Sequence, residues 1–233
     1  MTTKSFDLDG MITLQNELLS YIPHGHNIPS PAVPTVIACM GLIEELHEYL
    51  DTIGFESWSV DRTATLAGNH IHTKALIDRH IKEEFADTLF FMLEIMIFND
   101  FSAYNVMQYV ENITGKSTLE DLVDSYTVIS PKTREESVAR MSLIINALTN
   151  RIMVYMNSIG FKSWRPEPLP REVQLKHFAI VFILYAEFIA ASGIDIETLR
   201  THYIKKWAIN KQRWQKAKKG DYSWDDRSSK SSL

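Results

Sequence analysis

Apolar residues recur along this chain at intervals of three and four, over long windows, and few segments alternate with period two. That spacing gathers them on one stripe of a 3.6-residue helix. A chain patterned this way buries its apolar surface by packing amphipathic helices against one another. Glycine, at 9 of 233 residues, is too scarce to interrupt the pattern often. Helices are expected over residues 9–21, 35–53, 72–98, 101–113, 119–125, 133–159, 173–191 and 196–218. The breaks fall where the backbone cannot continue a helix. Four prolines punctuate residues 22–34, which are expected to form a loop, and three more fall in residues 165–172. Gly54 and Gly160 are placed to cap the helices before them, and Gly68-Asn69 to separate the second helix from the third. The polar tail, residues 221–233, is expected to fray.

The composition narrows the class. With 45% hydrophobic residues, 23% charged residues and a formal net charge of −5, the chain is no disordered polymer. It also lacks the charge balance of a protein coated by a nucleic-acid-binding face. The single cysteine, Cys39, allows neither an intrachain disulfide nor a cysteine zinc cluster, which suits a reducing compartment. The opening residues lack the basic-then-apolar order of a signal peptide. The apolar stretch 88–98 is interrupted by Glu94 and is too short to span a bilayer. A cytoplasmic protein with no membrane partner is expected.

One repetition stands out. LDTIGFESW, residues 50–58, returns as MNSIGFKSW, residues 156–164, with five of nine positions identical. Each copy closes a long helix and precedes another helix with an apolar run. An old duplication explains this better than coincidence, giving related halves over about 35–115 and 133–215. The halves differ in one respect. Where the first has Glu45 and Glu48, the same offset in the second gives Arg151 and Val154.

Glu45 and Glu48 lie three apart and share a helical face, with Glu44 four before Glu48. Glu84 and Asp87 repeat the spacing on the next long helix, with Glu83 beside them. Like charges so spaced repel within a lone helix. Turned toward each other across two helices, the pairs make a cage of carboxylate oxygens, which hard divalent cations such as magnesium select. Two solvated acidic faces would show the same spacing. The apolar run directly after Asp87 and the loss of acids from the second copy favour the cage. Near the C-terminus, Lys206, Asn210 and Arg213 fall at i, i+4 and i+7, with Tyr203 one turn earlier. Such a stripe suits phosphate oxygens and a sugar hydroxyl, although an ordinary basic helix face also fits.

The E-x-x-E and E-x-x-D pairs on successive long helices resemble the all-α nucleoside triphosphate pyrophosphatases of the MazG-like superfamily. Within it, the dimeric dUTPases and their phage dCTP/dUTP pyrophosphatase relatives are the nearest likeness. ITLQNEL resembles the family's N-terminal helix, IEELHEYLDTIGFESW its first metal block and EEFADTLFFML its second. Tyr203, Lys206, Asn210 and Arg213 match its Y-x-x-K-x-x-x-N-x-x-R signature. The chain departs from the family's pattern at Leu19, Phe90 and Trp214.

The resemblance implies an all-α multi-helix bundle of two related, MazG-like halves, forming one domain over 1–220. It implies hydrolysis of dUTP, and of dUDP, to dUMP, with attack on the β-phosphorus; dCTP or another dNTP is the alternative. Glu45, Glu48, Glu84 and Asp87 would hold two or more Mg2+ ions, or Mn2+, with Glu48 or Glu45 as general base. Lys206, Asn210, Arg213 and Tyr203 would grip phosphate and sugar. Gln15 and Asn16 would face the base, and Trp58 would wall it. A homodimer is implied. A different class, a non-catalytic regulatory or dimerisation protein of the same fold, predicts silence toward every dNTP. No H-E-x-x-H, His-Asp dipeptide or phosphate-binding glycine loop offers another hydrolase template. His24, His26, His70 and His72 read as loop histidines.

Overall fold

Helix boundaries follow local chemistry closely. The computed structural model describes residues 7–21, 32–53, 74–126, 133–161 and 167–219; Trp58, Gly54, Gly68, the four loop histidines and the tail lie outside them. Among the described residues there are eight helices and no strand: α1 Leu8–Leu19, α2 Ala32–Thr52, α3 Lys74–Phe98, α4 Ala103–Thr114, α5 Leu119–Tyr126, α6 Arg134–Ser158, α7 Arg171–Ser192 and α8 Ile196–Lys218. The all-α bundle expected from periodicity is the fold.

Five starts carry side-chain caps that satisfy an otherwise orphaned amide. Asp7 accepts from Gly10 N at 2.9 Å, Ser102 from Asn105 N at 3.1 Å, Thr118 from Asp121 N at 3.1 Å, Thr133 from Glu136 N at 3.2 Å and Asp195 from Thr198 N at 2.7 Å. Gly115 and Gly193 close α4 and α7 in the left-handed conformation. Gly160 takes the same conformation just past the end of α6.

Two of the boundary shifts have a clear local cause. Helix α2 begins at Ala32 and not at residue 35, because Pro34 falls in its first turn, where no intrahelical amide donor is required. Helix α4 begins at Ala103 and not at residue 101, because Ser102 caps it. Phe101 instead enters the core against Phe178 and Tyr155, at ring separations of 5.4 and 6.4 Å.

Helices α2 and α3 form the most closely packed pair, followed by α6 and α7. The first pair is antiparallel: Asn99 at the end of α3 donates to Thr35 at the start of α2 (3.0 Å), while Tyr49 near the end of α2 meets Phe85. Gly41 lets the helices close, since a β-carbon there would stand 2.4 Å from the Phe91 ring. The pairs join where α2 packs on α6. Helices α4 and α5 cover α7, and α1 and α8 lie on α3. Helix α7 is long and apolar enough to cross a membrane by length and composition, more so than the 88–98 stretch singled out from sequence. Here it is a core helix, with Phe178, Phe182, Tyr185 and Phe188 all buried.

Tyr49, Phe85, Phe188 and Tyr185 form an aromatic cluster joining the two helix pairs, with ring centroids 5.1–5.8 Å apart. Thr88 and Tyr185 share a buried hydrogen bond of 3.0 Å beside it. Edge and tilted contacts at these separations stabilise beyond area burial. Phe188→Ala is expected to remove about 3–5 kcal/mol from the unfolding free energy. A urea titration followed by circular dichroism measures it; a loss below about 1 kcal/mol would show that the cluster is not a keystone.

Candidate metal and nucleotide site

The aromatic cluster has acids built on it. Phe85 stands between Glu84 and Asp87 in sequence, and Tyr49 lies one turn beyond Glu45. Because Phe85 and Tyr49 face the core, their neighbours are held at its rim, where α2 and α3 touch. One carboxylate oxygen from each of Glu45, Glu84 and Asp87 lies within 4.8 Å of the other two. An octahedral magnesium, with ligands at about 2.0–2.1 Å, spaces its oxygens by up to roughly 4.2 Å. Three hard oxygen donors this near one another therefore fit a small divalent cation after a minor adjustment of rotamers. Glu48, one turn on, is more exposed and hydrogen-bonds Glu84. Glu44 is exposed, and its charge acts on Glu48.

The electrostatics follow from crowding. Burial first, and then the charges of Asp87, Glu84 and Glu48, push the Glu45 carboxyl far above its ordinary value of 4.5. Burial also pushes Asp87 up to about 6, against the lowering effect of Lys206. Glu48 is raised as well, by burial and by Glu84 and Glu44. Desolvation and like charge both favour the protonated acid, and a divalent cation would reverse that balance.

Helix α8 brings the opposite charge. Lys206 Nζ donates to Asp87 Oδ2, a close ion pair, and reaches the Glu83 carbonyl at 3.5 Å. Asn210 and Arg213 continue the stripe along α8, with Arg213 Nη1 3.5 Å from Asn210 Oδ1. Tyr203 is different. It is fully buried against the Phe90 ring, at 4.4 Å, and its hydroxyl donates to Gln15 Oε1 at 2.9 Å. Gln15 is buried too, and its Nε2 donates to Glu94 at 2.9 Å. Both ends of the Gln15 amide are thus engaged inside the protein. Asn16, the next residue, is exposed.

Glu94, which burial pushes up to about 7, looks in the sequence like no more than an interruption of an apolar run. Its spacing of seven from Asp87 placed it on the same face of α3, and that was the available signal. Trp207 Nε1 donates to the Leu14 carbonyl (2.8 Å) and Lys211 to Glu17 (2.6 Å), so Tyr203, Trp207 and Lys211 form a second α8 stripe that clasps α1. Nothing in the residue spacing alone sets that stripe apart from the one that carries Lys206.

The family model described as dUTPase matches residues 7–217, a span that takes in both acid pairs and the α8 stripe. The chain belongs to the dUTPase family. No curated protein matches it, and no solved structure does. Membership makes the chain a hydrolase of the nucleoside triphosphate diphosphatase class, with a nucleotide as substrate. Metal dependence is typical of this dUTPase family, and the buried acidic cluster is where a metal fits.

The folded, metal-free protein holds the Glu45 proton more tightly than the unfolded chain does. The resulting stability is complete below the ordinary value of 4.5 and is lost as pH rises toward the folded value. Glu45→Gln mimics the protonated acid. In chelator, the melting temperature of the variant minus that of the wild type is expected to grow from pH 5 to pH 8. A difference independent of pH would show that Glu45 is not held protonated.

Proposed function

We propose that this chain is a magnesium-dependent deoxynucleoside triphosphate pyrophosphohydrolase that converts dUTP, and dUDP, to dUMP, with dCTP as the second substrate. The observation that carries the reading is the convergence of Glu45, Glu84 and Asp87 from two helices with Lys206 set against them from a third. Acids to hold metal and cations to hold phosphate then stand side by side.

In this reading Glu45, Glu48, Glu84 and Asp87 hold Mg2+, with Mn2+ able to replace it. When bound, the metal neutralises the phosphate chain and lowers the pKa of a coordinated water. Glu48 is the most exposed of the four and its affinity for a proton is raised, which suits it to take a proton from the attacking water. Lys206 and Arg213 offset charge on the phosphates, and Asn210 holds a sugar or phosphate oxygen. Asn16 and Trp58 contact the base. Tyr203 and Gln15 act from behind, through the Glu94–Gln15–Tyr203 chain that holds α1, α3 and α8 together. An amide side chain offers a donor and an acceptor, so uracil and cytosine both remain readable.

We read residues 1–220 as one domain of two related halves, with the polar tail beyond. The α2–α3 pair joined to the α6–α7 pair supports this arrangement. Only the first half retains the metal ligands, since Arg151 and Val154 take the corresponding places in the second. The family likeness supports a homodimer.

Glu48→Gln and Asp87→Asn are each expected to lower turnover by orders of magnitude while leaving the helical circular dichroism intact. Near-normal magnesium-dependent activity in either would sink the cage. Pyrophosphate release across a dNTP panel, with and without chelator, ranks the bases. Silence across that panel from a well-folded protein would favour a non-catalytic regulatory role.

A further inference from the structure

The acid cluster already carries a cation of its own. Lys206 Nζ sits on Asp87 Oδ2, with both side chains largely out of water, and its charge reaches Glu45 and Glu48. An ammonium and a divalent metal both draw on the Asp87 carboxylate. Its two oxygens could receive one each, but two positive charges would then stand close together in a site largely out of water, so each weakens the other's hold. Lysine is suited to moving aside. Its four-carbon stem is flexible and its charge is compact, and it leaves α8 on the stripe that continues to Asn210 and Arg213.

We propose that Lys206 is the resident counter-ion of the metal-free site. It holds Asp87 until a divalent cation enters, is displaced by that cation, and is thereby released to the phosphate-gripping stripe. The inference rests on the carboxylate-cage reading above and adds two properties to it. Metal binding to the free protein is weakened by a built-in competitor. Metal and nucleotide also become coupled, since the cation that fills the cage frees the lysine for the phosphates, and the coupling is reciprocal.

Titration calorimetry with Mg2+ alone, and separately with Mn2+ alone, tests this without any turnover. Lys206→Met and Lys206→Gln are expected to bind the metal about fivefold more tightly than the wild type, the scale of one partly exposed ion pair. Lys206→Arg, which keeps the charge, is expected to bind no more tightly than the wild type. The neutral variants are also expected to melt at lower temperature in chelator, because the acids lose their partner, and to gain more on saturation with metal. If Lys206→Met does not fold, Lys206→Gln carries the comparison. Neutral variants that bind metal no better than the wild type would overturn the counter-ion role and leave the cage standing. Failure of the wild type and of both neutral variants to bind either ion would instead overturn the cage, and the counter-ion role with it.

Discussion

Holding several carboxylates together at the edge of a hydrocarbon core is the constraint around which the rest of this structure is arranged. Left to themselves, Glu45, Glu84 and Asp87 would repel, and water would pull them apart. They remain together because Tyr49 and Phe85, their neighbours on α2 and α3, are locked into an aromatic cluster with Phe188 and Tyr185. The cluster fixes two helices relative to each other, and the acids ride on that rigid seam. The protein answers the electrostatic cost with raised proton affinities and with one lysine.

The lysine depends in turn on where α8 lies. Three side chains of α8, Tyr203, Trp207 and Lys211, bond α1 at successive turns. Gln15 carries the connection onward to Glu94 on α3. Tyr203 donates to the Gln15 oxygen, which leaves the amide nitrogen to donate to Glu94. This polar chain runs through the protein interior and gives α8 a defined register on α3, which generic apolar contact alone would specify less sharply. With that register set, Lys206 meets Asp87. The two faces of α8 therefore have different duties, one clasping α1 and the other facing the acids.

Much of this was legible in the sequence. The 3.6-residue period revealed the eight helices of the described residues, and Gly160 marked the end of α6, because helix formation and termination are local events. Pro34 misled because proline breaks helices in their interiors but is tolerated in a first turn. The acid pairs announced themselves through spacing and through the contrast with Arg151 and Val154. Glu94, Gln15 and Tyr203 were harder to place. A glutamate in an apolar run looks like an interruption, and nothing local says that its partner stands 79 residues away. Tyr203 shares a helix and an approximate side with Lys206, yet one turn of α8 separates the interior from the site.

The sequence by itself therefore determined the class of fold and the approximate extent of its helices, since periodicity and side-chain type act within a few residues. Only the tertiary structure decided which acids stand together, that Lys206 is set against Asp87, and that Gln15 and Tyr203 face each other within the interior. Those outcomes turn on the register and rotation of helices far apart in the chain. Register is decided by how aromatic rings and buried polar groups fit across helix faces, which no spacing along one helix encodes.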